Sequence, residues 1–125
     1  MPDALGELQL QVMEVVWRLG QATVADAHEA LSAERKIAYT TVLTTLRALE
    51  RRGMVTHETV GKAYLYRPAV SREQYAEDSV DRLVDDLFGG RQEKLLCHLL
   101  GAEQIGRAEL AEIRRIVREA EKEAK

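Results

Sequence analysis

The sequence predicts a mainly α-helical chain with one small β-hairpin: an α+β winged helix-turn-helix domain followed by a helical dimerisation domain. Three observations support this fold class. Apolar residues recur at helical spacing through most of the 125 residues, a period of two appears only over 55–67, and proline occurs only at positions 2 and 68. The two domains are therefore expected at residues 1–70 and 71–125.

The first half of the chain is predicted to begin with three helices. Apolar residues at helical spacing predict the first over 5–19, followed by a glycine that ends it. Thr23 is expected to cap the second helix, with Asp26 near its positive end. The third helix is expected from about Ala38 to Arg52, again before a glycine.

A β-hairpin is predicted after the third helix. The segments 55–60 and 63–67 are rich in β-branched and aromatic residues, and Gly61-Lys62 lies where a two-residue turn would join them. Tyr64 and Tyr66 are expected to pack the hairpin on the third helix, with their hydroxyl groups at the rim. Three helices followed by a hairpin is the element order of a winged helix-turn-helix.

The chain beyond Pro68 is predicted to be helical, over about 72–88, 93–100 and 107–123. The apolar stripes of these helices provide too small a core for an independent domain, so we expect them to be buried against a second copy of the chain. The expected dimer-interface residues are Tyr75, Val80, Leu83, Val84, Leu87, Phe88, Leu95, Leu96, Leu99, Leu110, Ile113, Ile116 and Val117.

A formal net charge of −3 conceals a basic segment. Residues 35–67 carry seven basic and two acidic side chains, whereas residues 71–125 carry ten basic and thirteen acidic ones. DNA phosphates respond to such a local excess of positive charge rather than to the net charge of the chain. The expected phosphate-binding residues are Arg35, Lys36, Arg51, Arg52, Lys62 and Arg67.

The third helix has a face suited to the major groove of DNA. On a helical wheel, Thr40, Thr44, Arg47 and Arg51 lie opposite its apolar stripe, whereas Leu43 lies at the flank and Thr45 at the edge of the core. Threonine can contact a base edge or a thymine methyl group, and arginine can donate two hydrogen bonds to guanine. The alternative, a solvated face without a partner, is disfavoured by the basic hairpin that follows. The expected base-reading residues are Thr40, Thr41, Leu43, Thr44 and Arg47.

Other classes of protein are disfavoured by what the sequence lacks. No apolar run approaches the roughly 18 residues of a membrane span, and the N-terminus does not resemble a signal peptide, so we expect a cytoplasmic protein without stable membrane association. There is no nucleophile elbow, phosphate-binding loop or HExxH motif. We therefore predict no enzymatic activity, no cofactor and no metal site.

The single cysteine, Cys97, excludes an intramolecular disulfide and a multi-cysteine metal site. It forms a suggestive pair with His98, but adjacent side chains on a helix point about 100° apart and do not chelate one ion well. A buried, inert Cys97 is expected. The alternative is a metal- or redox-responsive winged-helix sensor that uses Cys97 and His98.

Four segments of the sequence resemble the penicillinase-repressor (BlaI/MecI/CopY) family of bacterial transcriptional regulators. They are LGELQLQVMEVVW at 5–17, AYTTVLTTLRALERRGMV at 38–55, GKAYLYRPAVSREQY at 61–75 and LFGG at 87–90. The resemblance implies a homodimeric repressor whose winged-helix domains bind an operator dyad in double-stranded DNA. By position, Lys62 matches the family's basic wing residue, and the recognition-helix residues are matched by Thr40, Thr41, Thr44 and Arg47.

Two departures from the family pattern concern the inducing signal. The copper-responsive branch ends in paired cysteine motifs, whereas this chain ends in EAEKEAK and has no cysteine after Cys97. The β-lactam-responsive branch is inactivated by cleavage of an Asn-Phe bond in the helix after Gly-Gly. Here Leu99-Leu100 lies near that position. The resemblance therefore implies a possible cleavage region at Leu99 and Leu100, with a membrane sensor-protease as a possible inducer.

Overall fold

The computed structural model describes residues 4–101 and 105–124, which form six helices and three strands. The α+β class is confirmed, as is the predicted order of three helices, a hairpin and three further helices. In chain order the elements are α1 Glu7–Leu19, β1 Ala22–Thr23, α2 Val24–Ser32, α3 Tyr39–Arg51, β2 Val55–Val60, β3 Ala63–Pro68, α4 Arg72–Phe88, α5 Gln92–Leu100 and α6 Arg107–Glu123.

Local signals begin and end the first helices where the sequence predicts. Thr23 Oγ1 accepts a hydrogen bond from the Asp26 amide at 3.1 Å, and the Asp26 carboxylate accepts one from the Thr23 amide at 3.1 Å, so both residues cap α2. Gly20 ends α1 and Gly53 follows α3, with φ angles of +82° and +77°. Glycine adopts this left-handed conformation at the lowest cost, which explains both helix ends.

The strands form one antiparallel sheet with the order β1-β3-β2. β2 and β3 are the two arms of the predicted hairpin, joined at Gly61-Lys62. β1 is absent from the sequence prediction. Its two residues pair with Tyr66 and Leu65 of β3, and a strand of two residues has no alternation pattern of its own. The two residues of β1 form a strand because they pair with β3.

The hydrophobic core lies between α1, α2, α3 and the sheet. Each of these elements contributes apolar side chains, and burying one leucine contributes about 1.5–3 kcal/mol. This core holds α3 in a fixed orientation, so the outward face of α3 is determined by the residues that it buries. The largest fully buried side chains are Tyr66, Met13, Leu46, Leu49, Met54, Val12, Val16, Val42 and Val55.

The chain divides into two compact units, Met1–Val80 and Asp81–Lys125. The division falls within α4, ten residues beyond the domain boundary that the sequence predicts at 70/71. Extensive packing between elements is confined to α1–α3 and the strands among the described residues.

The start of α4 packs inside the first unit. The Tyr75 hydroxyl accepts a hydrogen bond from the Leu5 amide at 3.0 Å, and the Trp17 indole donates one to the Val70 carbonyl at 2.9 Å. The rings of Trp17 and Tyr75 lie 5.9 Å apart. Tyr75, which the sequence analysis assigns to the dimer interface, is therefore half-buried by contacts within its own chain.

Candidate nucleic-acid interface

Helix α3 presents a polar face to solvent. Because its apolar residues Val42, Leu46 and Leu49 are fully buried, the opposite side of the helix faces outward. The orientation predicted from the helical wheel is confirmed, whereas base contacts by this face stay a prediction. The exposed side chains on the outward side are Thr40, Thr41, Thr44, Arg47 and Arg51.

Two threonines of α3 use their hydroxyl hydrogens within the helix. Thr44 Oγ1 donates to the Thr40 carbonyl at 2.9 Å, and Thr45 Oγ1 donates to the Thr41 carbonyl at 2.7 Å. Thr45 is buried, but the exposed Thr44 presents its methyl group and its oxygen lone pairs to the outside. In a major groove this arrangement suits a thymine methyl group or the amino group of adenine or cytosine.

A cleft of about 300 Å³ lies between the start of α3 and the turn of the hairpin. Leu43 and Lys62 are among its lining residues, and Leu43 also packs against the core, so only part of this side chain is free for a base contact. Tyr39 lines the same cleft, is 48% exposed and makes an edge contact with the His28 ring. The sequence analysis does not include Tyr39 among the DNA-contacting residues. Its position directly before Thr40, at the start of α3, could have indicated that it lies beside them.

Two of the predicted phosphate-binding arginines are engaged within the chain. Arg52 is half-buried, and its guanidinium donates to Gln9 Oε1 at 2.7 Å and to the Ala4 carbonyl at 3.3 Å. Arg35 is exposed, and its Nη1 donates to Gln11 Oε1 at 2.7 Å. These contacts connect both arginines to α1 and the segment before it, so Arg52 in particular has a structural role.

Arg67 is also engaged, because it forms an ion pair with Glu58 on the neighbouring strand and donates from Nε to Gln21 Oε1 at 3.2 Å. The other three predicted phosphate-binding residues are exposed cations on α3, on the hairpin turn and in the loop before α3. Among the described residues, the side chains of Lys36, Arg51 and Lys62 form no hydrogen bond or ion pair. These three side chains are therefore available for phosphates without breaking an internal contact.

The hairpin rests on α3 through a cluster of aromatic and charged side chains. His57 Nδ1 of β2 lies 2.6 Å and 2.8 Å from the two carboxylate oxygens of Glu50 in the last turns of α3. The His57 ring stacks on Tyr64 of β3 with 4.1 Å between ring centroids, and it is tilted against Tyr66 at 5.6 Å.

The expectation that both tyrosine hydroxyls lie at the rim is wrong for Tyr66. Its side chain is fully buried, and its hydroxyl has no hydrogen-bond partner among the described residues. Burial raises the pKa of Tyr66, the negative charge of Glu50 raises it further, and the positive charge of Arg47 opposes the shift. Tyr66 lies at the base of the hairpin, over the core, while Tyr64 lies nearer the turn.

Replacing Tyr66 with phenylalanine is expected to leave the free energy of unfolding at pH 7 unchanged or to raise it, because a buried hydroxyl without a partner costs about 1–3 kcal/mol. The raised pKa adds a pH dependence. Below the ordinary tyrosine pKa of about 10, both the folded and the unfolded chain are protonated and stability is complete. As the pH rises through the raised folded pKa, stability is lost, and Tyr66→Phe should lack this loss.

Urea denaturation at pH 7 and near pH 11 measures both effects. Tyr64→Phe is the matched control, since Tyr64 is 44% exposed. A lower stability of Tyr66→Phe than of the wild type at pH 7 would mean that this hydroxyl makes a stabilising hydrogen bond.

The second unit, Asp81–Lys125, buries little apolar surface. Val84, one of the predicted dimer-interface residues, is 4% exposed within the chain and so does not contribute free surface. Leu96, Leu100 and Leu110 line a cleft of about 530 Å³ on α5 and α6. Contiguous apolar exposure is typical of interaction surfaces in soluble proteins. The exposed large apolar residues in this unit are Leu83, Leu87, Leu96, Leu99, Leu100, Leu110, Ile116 and Val117.

The expectation of a buried Cys97 is wrong, because Cys97 is exposed and helix α5 buries no residue within the chain. Over residues 4–101 and 105–124, no three His, Cys, Asp or Glu side chains cluster closely enough to hold a metal ion. Within the same residues, no helix has the length and apolar character that crossing a bilayer requires.

Comparison with known proteins places these features in a family. A sequence model described as penicillinase repressor matches residues 5–119. The transcriptional regulator BlaI of Mycobacterium tuberculosis is 35% identical over 119 residues, which cover 94% of this chain and 85% of that protein.

Two solution structures resemble the fold at 23% identity, which supports the winged-helix fold. One is the DNA-binding domain of the repressor BlaI, with a TM-score of 0.53 over 60% of this chain and 94% of that one. The other is Bacillus licheniformis BlaI, a monomeric form in complex with the blaP half-operator, with a TM-score of 0.52 over 60% of this chain and 92% of that one. Since the family model covers nearly the whole chain, this protein belongs to the penicillinase repressor family.

Proposed function

We propose that this chain is a homodimeric, sequence-specific repressor of transcription that binds an operator dyad in double-stranded DNA. The observation that carries this proposal is the exposed threonine and arginine face of α3, which has the free cation Lys62 beside it on the hairpin turn. Membership of a repressor family supports it, as does the fold shared with a BlaI form bound to a half-operator. A DNA operator as partner implies a cytoplasmic location, which stays a prediction.

In this proposal the two kinds of DNA contact come from different residues. Thr40, Thr41, Thr44 and Arg47 read bases, joined by the exposed part of Leu43. Phosphates are bound mainly by the three cations whose side chains have no partner within the described residues. Each of the other predicted arginines would have to give up a contact within the chain before it could bind a phosphate. The three primary phosphate-binding residues are therefore Lys36, Arg51 and Lys62.

The partner that covers the apolar surface of α4–α6 is a second copy of the chain. A compact unit of this size that buries so few apolar side chains lacks a core of its own, and a symmetric partner supplies one. We propose DNA binding for residues 1–70 and dimerisation for residues 71–125, with the first turns of α4 packed on the DNA-binding part.

Relief of repression by proteolysis is consistent with the position of Leu99 and Leu100. Both side chains are exposed and lie in the last turn of α5, so cleavage there would separate α6, with its exposed Leu110, Ile116 and Val117, from the rest of the chain. A membrane sensor-protease is the proposed source of the cut. The mass of the chain recovered from induced cells tests it, since an intact chain under induction would exclude this mechanism.

The phosphate contacts are tested by Lys62→Ala. We expect a similar loss of affinity for every duplex, because a phosphate contact carries no base information. The slope of log K against the logarithm of the salt concentration should also become less steep by about 0.9. Fluorescence anisotropy over a series of salt concentrations measures both quantities on duplexes selected from a random-sequence library. The matched control is Lys94→Ala, an exposed lysine on α5.

Two results would contradict the proposal at different levels. A wild-type chain that binds no duplex in a salt-dependent way would overturn DNA binding itself. An unchanged salt slope in Lys62→Ala would remove only the wing from the phosphate-binding set.

A further inference from the structure

Helix α3 carries an acidic residue within one helical turn of the arginine proposed to read DNA. Glu50 follows Arg47 by three positions, and side chains at this spacing on a helix are neighbours that can form an ion pair. The negative charge of Glu50 raises the pKa of the buried Tyr66 hydroxyl, and the positive charge of Arg47 lowers it. Yet the Arg47 side chain is exposed and forms no ion pair or hydrogen bond among the described residues.

The carboxylate of Glu50 is instead occupied by the wing. His57 Nδ1 lies within 2.6 Å and 2.8 Å of its two oxygens, and the side chains of this pair are only about a third exposed. The His57 ring is held in place by the stacked Tyr64 ring on β3 and by strand pairing with Tyr66. The histidine therefore has a defined position and a defined partner.

We propose that His57 is a positioning residue for DNA recognition, which acts by holding Glu50 away from Arg47. When the Nδ1–H group donates to the carboxylate, the guanidinium of Arg47 has no competing acceptor one helical turn away and stays available for a base. This inference rests on the proposed function, in which α3 reads DNA through Arg47.

Without His57, competition within α3 lowers affinity for DNA. The freed carboxylate pairs with Arg47, so that binding a base first requires that pair to break. We expect His57→Ala to reduce affinity for the selected duplex about three- to tenfold, as ion pairs at this spacing are individually weak.

The decisive variant is the double substitution His57→Ala with Glu50→Gln in the full-length chain. Removing the carboxylate charge should restore affinity to within about twofold of the wild type, since no acceptor of full charge then competes for Arg47. His57→Gln, which keeps an N–H donor for Glu50, should retain most of the affinity. His98→Ala on α5 is the matched control for losing a histidine, and circular dichroism verifies that each variant is folded.

The result that would overturn the inference is a double variant as weak as His57→Ala alone, because His57 would then act only by supporting the hairpin. A second cycle covers the case in which His57→Ala does not fold: His57→Phe keeps a ring to stack on Tyr64 but has no N–H donor for Glu50, and it is tested with and without Arg47→Ala. His57→Phe should lower affinity less when Arg47 is absent, and equal effects in both backgrounds would also overturn the inference. If Arg47→Ala itself has no effect on DNA binding, the proposed base contact of Arg47 fails instead.

Discussion

Replacing Ile116 with aspartate is expected to convert the proposed dimer to monomers and to weaken binding to a full operator dyad by roughly 10²- to 10⁴-fold, the loss that follows when two linked binding units act separately. Ile116 is 53% exposed on α6 and belongs to the apolar side of this helix, which we propose to be covered by a second chain. A carboxylate there would be buried without a partner in the dimer. Sedimentation equilibrium measures the change in association.

The same variant should bind a single half-site as well as the wild type does, because Ile116 lies outside the unit Met1–Val80. The matched control is Ala111→Asp, which adds the same charge to the opposite, polar face of α6. If the Ile116→Asp variant still forms a dimer, the dimer contacts lie elsewhere on the chain. The same conclusion follows if Ala111→Asp weakens the dimer as much as Ile116→Asp does.

The parts of this fold that could be predicted are those specified by local patterns. The 3.6-residue period of α3 predicts which side faces the core, and the burial of Val42, Leu46 and Leu49 confirms it. The glycine-lysine pair at 61–62 predicts the hairpin register. Each of these features depends on residues that are neighbours in sequence, so no knowledge of distant contacts is needed.

The features that could not be predicted depend on contacts between distant segments. Tyr64 and Tyr66 lie on the same face of β3, but only the packed structure decides that Tyr66 lies over the core and Tyr64 does not. Arg52 and Arg67 count equally with Lys62 as positive charges in the sequence, yet both have partners far along the chain. Charge counting identifies a basic segment and not which of its cations are free.

The largest sequence-specific effect is expected from Arg47→Ala. Arg47 is exposed opposite the buried stripe of α3 and has no internal ion pair among the described residues, so its guanidinium can donate two hydrogen bonds to guanine O6 and N7. Its loss should cost about 1–3 kcal/mol on the selected duplex, or 5- to 150-fold in affinity, and should relax base preference at one position in each half-site. Binding to a library of single-base variants measures both.

Arg51→Ala is the informative comparison, because Arg51 lies one turn further along the same exposed face of α3. If Arg51 binds phosphate, its loss should weaken all duplexes alike and reduce the salt slope, whereas the loss of Arg47 should weaken the selected duplex more than its variants. A uniform loss in Arg47→Ala would instead make Arg47 a phosphate anchor. Base recognition would then have to come from the threonines of α3, with Thr44 offering its lone pairs and methyl group to the groove.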